Sequence, residues 1–292
     1  GLLLLGLHCL IERQRYGKLR RLCEDLEALL LHGTALPIGD YREGELSVLA
    51  NEVQKLTLGL SDARDAVQKD KEFLADSLAD ISHQLRTPLT AMNLTLSLLQ
   101  TGEHDGEKQR QLLRDLRVLL HRTQWLVEAL LKLSKLDAGT VQLSEEPVSL
   151  HALLEQAAAP LAIGMELRQQ SLSLPTQDCS LLCDPTWTAE AVGNILKNAM
   201  EHSPLGGQIS VRMEDTPLFT KIEIQDEGEG FDPEELPRLF ERFYRGKGAE
   251  PQSCGIGLAL ARSILTAQNG SIQAVNTGTG GKFILKFYKQ II

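Results

Sequence analysis

Ser82-His83-Gln84-Leu85-Arg86-Thr87-Pro88-Leu89 sits inside a long apolar repeat. Leu46, Leu49, Val53, Leu56, Leu60, Ala63 and Val67 alternate steps of three and four, and the series runs on through Leu74, Leu78, Ile81, Leu85, Leu89, Met92, Leu96 and Leu99. That spacing is a heptad seam on one long helix. Two pairs of successive four-residue steps, Asp70 to Leu78 and Ile81 to Leu89, shift its phase and locally unwind a supercoil. His83 stands two residues from both Ile81 and Leu85, so at about 100° per residue it falls roughly 200° round the helix from the seam, towards water. Pro88 has no N–H to donate and frees the carbonyl of Gln84 just below it. An exposed neutral imidazole on a distorted helix is a competent nucleophile near physiological pH.

Outward from this stretch, a polar turn at Thr101 to Gly106 precedes a second stripe, Leu112, Leu116, Leu119, Thr123, Leu126, Leu130 and Leu133. The two stripes predict an antiparallel helical hairpin. One hairpin buries too little to stand alone, and pairing two copies into a four-helix bundle supplies the missing core.

In the other direction, Leu2 to Ile11 is almost purely apolar and Arg13, Arg15, Lys18, Arg20 and Arg21 follow it. The run is shorter than the roughly 20 residues that span a bilayer, and its basic flank fits the cytoplasmic side. No charge precedes the run and no small-residue cleavage site follows it, which excludes a signal peptide. Residues 1–11 read as the end of a transmembrane helix, which places the protein at the cell membrane with this portion cytoplasmic. An amphipathic or buried terminal helix is the alternative.

The chain has 292 residues, with 30 Lys and Arg against 39 Asp and Glu, a net charge of −9. That length holds two modest domains, and a hydrophobic share of 42% with 24% charged residues excludes global disorder. An acidic chain lacks the basic footprint that nucleic acid requires. Five scattered cysteines do not make a disulfide framework and indicate a reducing compartment. Cys179 and Cys183 lack the neighbouring His or Cys that a metal site needs.

Past Gly139 the pattern becomes mixed α/β. Asp184-Pro185 is a helix start, an N-cap followed by the residue favoured at the first helical position. Ile209, Val211 and Met213, Ile222 and Ile224, and Phe283, Leu285 and Phe287 alternate as strands do. On the helix begun by Pro185, Glu190, Asn194, Asn198 and His202 recur every four residues as a polar strip. The strip is either a solvated face or a place where two Asn oxygens meet a hard cation such as Mg²⁺. Asp226-Glu227-Gly228-Glu229-Gly230 puts a carboxylate at a strand end before a glycine turn. No Walker A string and no complete dinucleotide fingerprint occurs.

His83 to Leu89 resembles the H-box of two-component sensor histidine kinases, in which a His is followed by an acid, any residue, a basic or polar residue, Thr or Asn, Pro and Leu. The resemblance makes His83 the phosphoacceptor and gives Thr87 the task of positioning water during dephosphorylation of the response regulator. Gln84 departs from the acid common after the His. Its amide oxygen accepts a hydrogen bond from the imidazole and fixes the tautomer, but takes no proton.

Asn194 to Pro204 resembles the N-box of the same kinases, with Asn198 at the magnesium-binding position, Glu190, Asn194, Lys197 and His202 in the nucleotide site, and Asn194 as an alternative magnesium ligand. Glu201 stands where the family often has a basic phosphate contact, so Lys197, Arg242 or Arg245 supplies that charge. Asp226, Gly228 and Gly230 resemble the G1 box, whose Asp accepts from the adenine amino group. Phe240, Arg242, Phe243 and Arg245 fall in a stretch that resembles the F-box. Gly255, Ile256, Gly257 and Leu258 resemble the G2 box, where glycine lets backbone N–H groups approach phosphate at a helix start. Ser253 replaces a further glycine of that box.

The resemblance covers residues 62 to 292 and implies a phosphotransfer hairpin in 62–140, forming a dimeric four-helix bundle, and an α/β sandwich of the Bergerat ATP-binding type in 145–292. Residues 12–61 resemble a HAMP-type linker, with a plain coiled coil as the alternative. The implied enzyme takes ATP and Mg²⁺, phosphorylates His83 and passes the phosphoryl group to an Asp of a response regulator receiver domain. Its implied partners are a second copy, the receiver domain and the membrane, and no nucleic acid. Gln84 and Glu201 keep a catalytically weak, phosphatase-biased sensor open as an alternative, alongside another ATPase of the same nucleotide-binding fold.

Overall fold

The computed structural model describes residues 1, 5–10, 12–14, 16–17, 20, 45–101, 106–246 and 254–289. Much of the 12–61 linker, the middle of the turn after Thr101 and Ser253 lie outside them. The chain divides into two compact units, Gly1–Ala79 and Asp80–Ile292.

In the first unit, residues 5–10 are helical and exposed. Among the described residues no helix is long and apolar enough to cross a membrane. Helix α1, Glu45–Thr101, begins in this unit and continues unbroken into the second. Its seam residues Leu56, Leu60 and Val67 are 68%, 68% and 67% exposed. An apolar seam this open has no partner among the described residues of the single chain.

In the second unit α1 runs through Pro88, which is buried, and places His83 in the open as its phase predicts. Thr87 Oγ1 donates to the His83 carbonyl at 3.2 Å. Helix α2, Gly106–Asp137, carries apolar residues on more than one face. The stripe residues Leu126 and Leu133, with Ala129 between them, are at most 3% exposed. They share a core with the α/β elements rather than serving the hairpin alone, and Leu85 of α1 packs against the same core. A second stripe on α2, Leu113, Leu120, Val127 and Leu131, stays exposed.

The α/β part begins with strand β1, Glu146–Ser149, and helix α3, Leu150–Ala158, which Ser149 caps through its hydroxyl. Short helix α4, Ala162–Leu167, leads to β2, Ser171–Ser173, and β3, Ser180–Cys183. Helix α5 is Pro185–His202, followed by β4, Gln208–Asp215, and β5, Phe219–Gln225. Helix α6, Gly257–Ala267, precedes β6, Gly270–Thr277, and β7, Gly280–Tyr288. β1 and β3 form an antiparallel pair, and the main sheet has the order β2-β4-β5-β7-β6, parallel only at its β2–β4 edge.

The alternation read in the sequence becomes one apolar sheet face. Ile209, Val211, Ile222, Ile224, Phe283, Leu285 and Phe287 are all buried, and Ile224 is paired with both Val211 and Phe283. Successive strand side chains point to opposite faces, so these seven turn together towards the helices. Helix α5 packs between α3 and α6, and α2 lies against α6. The result is a sheet covered on one side by helices, with the open side of α5 left to line a cavity.

Candidate functional site

The start of α5 is fixed locally. Asp184 accepts from the backbone N–H groups of Thr186 and Trp187 at 3.0 and 3.1 Å, and Pro185 occupies the first helical position. Gln268 Oε1, at the end of α6, accepts from the Asp184 N–H at 2.7 Å and the Thr188 hydroxyl at 3.2 Å, tying the two helices together. Ala191, Val192, Ile195, Leu196 and Ala199 bury one side of α5. Asn194, Lys197, Asn198, Glu201 and His202 line a cavity of about 1140 Å³ on the other.

Each end of that α5 segment meets a glycine motif. A Cβ added at Gly228 would run into the His202 carbonyl oxygen, and one at Gly257 would lie 3.3 Å from Asn194 Oδ1. Asn194 and His202 are eight residues apart, about 12 Å along a helix. At the His202 end, Asp226 is 2% exposed. Its Oδ1 accepts from the N–H groups of Gly228 at 2.8 Å and Gly281 at 3.1 Å, and its Oδ2 has no partner among the described residues. A carboxylate anchored by one oxygen keeps the other for a donor. Gly230 lines the cavity beside it, under Asn276, whose amide exchanges two 2.7 Å hydrogen bonds with the backbone of Phe231.

At the Asn194 end, Gly255 has φ +68°, and its carbonyl accepts from the Phe243 N–H at 2.8 Å. A Cβ there would meet the Tyr244 carbonyl oxygen at 2.5 Å, so only glycine fits. Gly255, Gly257 and Leu258 face the cavity where α6 begins. Ile256 caps α6 with no side-chain bond, which leaves its first N–H groups as an anion site. Between the two ends, Asn198 Oδ1 is buried with no hydrogen-bond partner among the described residues. An orphaned carbonyl oxygen beside an anion site fits a hard cation that bridges to phosphate. Desolvation, followed by the charge of Glu235, raises the Tyr244 phenol above its ordinary range, so the ring lining this cavity stays neutral.

Several residues assigned to the nucleotide site do not line the cavity. Glu190 faces α2, where Lys132 Nζ reaches both its oxygens at 2.6 and 2.7 Å. A four-residue step turns about 40° beyond a full circle, so a strip from Glu190 to His202 winds roughly 120° round the helix and cannot face one cavity. Arg242 pairs with Asp137 of α2. Phe240 stacks edge-on to Phe283 at 6.4 Å, and Phe243 packs against the same core. Ile256 is fully buried, its side chain turned inwards between two cavity glycines. His83, Gln84 and Thr87 lie on α1 and take no part in the cavity wall. Lys197 and Arg245 do line it, Lys197 with Glu201 at 3.8 Å and the Trp125 ring at 5.6 Å.

The sequence reading missed the contribution of α2. His121, Arg122 and Trp125 form part of the wall. Arg122, Trp125, Ala129 and Lys132 follow steps of three, four and three, which places them on one face of the helix. That spacing was legible, whereas the surface it faces is a tertiary matter.

Residues 73–139 match the family described as His Kinase A (phospho-acceptor) domain, and residues 183–291 match Histidine kinase-, DNA gyrase B-, and HSP90-like ATPase. The chain belongs to the two-component sensor histidine kinases. Its two matched regions are a helical phosphoacceptor region followed by an α/β ATPase region. Sensor protein SphS of Synechococcus elongatus is 32% identical over 276 residues, which is 87% of this chain and 60% of SphS. The solved histidine kinase AdeS of Acinetobacter baumannii is 26% identical with a TM-score of 0.60, covering 72% of this chain and 98% of that one. Histidine kinase ThkA, solved in complex with response regulator protein TrrA, shares the fold at a TM-score of 0.61 and 17% identity, covering 76% of this chain and 64% of that one. The chain spans between 30% and 60% of the length of the curated relatives it matches.

Proposed function

We propose that this chain moves the γ-phosphoryl group of ATP to His83 and from there to an Asp of a response regulator receiver domain. The observation that carries the proposal is the presence on one chain of an exposed His83 in the phospho-acceptor region and a cavity lined at one end by Gly228 and Gly230 of the turn after Asp226 and at the other by Gly255 and Gly257 at the bare N-terminus of α6. The adenine amino group would donate to Asp226, and the phosphates would lie along Gly255 and Gly257. In the transfer, the bond from the γ-phosphorus to the bridging oxygen breaks and ADP leaves, while a bond from an imidazole nitrogen to phosphorus forms. Gln84 cannot take the imidazole proton, which passes to water. Positioning and charge stabilisation carry most of such a reaction.

Asn198, with Asn194 one turn before it, would hold Mg²⁺, whose charge offsets that of the phosphates. Residues 62–140 would be the phosphotransfer hairpin and 145–292 the ATP-binding domain. The exposed seam of α1 and the second stripe of α2 support pairing of two copies into a four-helix bundle. The apolar run at 1–11 with its basic flank supports attachment to a membrane, and 12–61 would link the two. Gln84 and Glu201 favour a second reading, a phosphatase-biased sensor with slow phosphorylation.

ATP binding measured with and without Mg²⁺, followed by mixing of the phosphorylated chain with a receiver domain, tests the proposal. Tighter binding with Mg²⁺ and transfer of the phosphoryl group support it, and a chain that binds no nucleotide contradicts it. Gln84→Glu separates the two readings: a large gain in phosphorylation favours the slow kinase, and no change removes it.

A further inference from the structure

We infer that Arg122, on α2 outside the α/β sheet and its helices, is the cation that binds the terminal phosphate of the nucleotide, an inference that rests on the nucleotide reading above. The charge balance of the cavity points to it. Of the three cations that the sequence assigns to phosphate, Arg242 is neutralised by Asp137, and Lys197 is shared between Glu201 and the Trp125 ring. Arg245 lies in the cavity wall and is already engaged. Arg122 differs from all three. Its Nε donates to Cys254 Sγ at 3.4 Å, and among the described residues no carboxylate pairs with it. A thiol is a weak acceptor, so a half-buried guanidinium with five N–H donors keeps most of its charge and donor capacity unused.

Its position selects the phosphate end. Cys254 adjoins Gly255, whose backbone turns into the uncapped start of α6, and Asn194 stands beside Gly257. Asp226 lies at the opposite end, about 12 Å away along α5 by helical rise. An anion seated on the first N–H groups of α6 therefore meets Arg122 from the side of α2. The guanidinium fork matches two phosphate oxygens at once, which a lysine cannot do.

The helix that carries Arg122 is firmly seated. Leu126, Ala129 and Leu133 are at most 3% exposed, and Lys132 is clamped to Glu190. A triphosphate would then bridge α2 and α6, so its affinity depends on α2 being docked, whereas a diphosphate, lacking the last phosphate, is held by the α/β part alone.

Calorimetric titration of the full chain with a non-hydrolysable ATP analogue and with ADP, each with Mg²⁺, tests this. For Arg122→Gln the analogue is expected to bind about 10-fold more weakly or worse, the range of a charged hydrogen-bond pair, with ADP affinity nearly unchanged. Arg122→Lys should recover part of the preference. Unchanged affinity for the analogue in Arg122→Gln overturns the inference. So does an equal loss for the analogue and ADP, which would mean that Arg122 only shapes the cavity. Failure of the unsubstituted chain to bind either nucleotide overturns the nucleotide reading itself, and with it this inference, and is a distinct result from binding that ignores residue 122.

Discussion

Lys132 and Glu190 join α2 to α5 head to head, with Nζ 2.6 and 2.7 Å from the two carboxylate oxygens. The carboxylate side is only 26% exposed. Lys132→Met would leave that carboxylate partly buried and unpaired, whereas replacing both residues removes the unpaired charge. The expected cost of Lys132→Met is about 1 kcal/mol, discounted for solvent screening, and most of it should return in Lys132→Met/Glu190→Met. The two tryptophans of the chain, Trp125 and Trp187, sit on these two helices, so fluorescence during urea unfolding reports directly on the joint.

Asp226→Asn should change nucleotide choice more than stability. Oδ1 would go on accepting from Gly228 and Gly281, but the group at Oδ2 would become a donor facing the adenine amino donor. ATP affinity is expected to fall about 10-fold or more, with the preference for ATP over GTP lost or reversed. Competition binding with both nucleotides measures the ratio, which a change in folding alone would not move.

Gly255→Ala should remove nucleotide binding while the sheet stays folded. The left-handed backbone at φ +68° costs a side chain about 1 kcal/mol, and the new Cβ would press on the backbone of Tyr244 and Phe243, which cannot swing aside. Gly278→Ala is the control, because nothing lies within 4 Å of a Cβ there. An alanine at 255 that binds ATP as tightly as the control would contradict the proposed phosphate loop.

Acid stability should depend on Asp178. The backbone N–H of His151, then the hydroxyl of Ser149 and the N–H of Cys179, bond its carboxylate and hold its pKa below the ordinary value against some desolvation. A folded-state pKa below the unfolded one stabilises the fold above the unfolded value, near 3.9, and that stabilisation is lost as pH falls through the folded value. Asp178→Asn should therefore lower the melting temperature at pH 6, with the gap to the unsubstituted chain closing below about pH 4. A gap that is constant with pH would show that the charge is irrelevant.

Elements whose signals are local were legible. The Asp184 cap, the proline start of α5 and the alternation of Ile222, Ile224, Phe283 and Leu285 each encode their structure within a few residues. The phase of His83 against Ile81 and Leu85 was enough to place it in the open. What pattern could not supply was rotation and partner. Glu190 keeps the spacing of Asn194 and Asn198 yet winds away from the cavity, and Leu126 and Leu133, read as a hairpin seam, are buried in a core shared with α/β elements. Arg122 and Trp125 lie in a leucine-rich helix with no motif of their own, and only the docking of α2 against α6 makes them part of a site.

Whether His83 receives phosphate from ATP is measured by incubating the purified chain with Mg²⁺ and γ-labelled ATP. The expected result is acid-labile, base-stable label on the protein that is absent from His83→Ala, while that variant binds ATP as the unsubstituted chain does. Label that persists in His83→Ala, or ATP hydrolysis with no labelled protein at all, would contradict it.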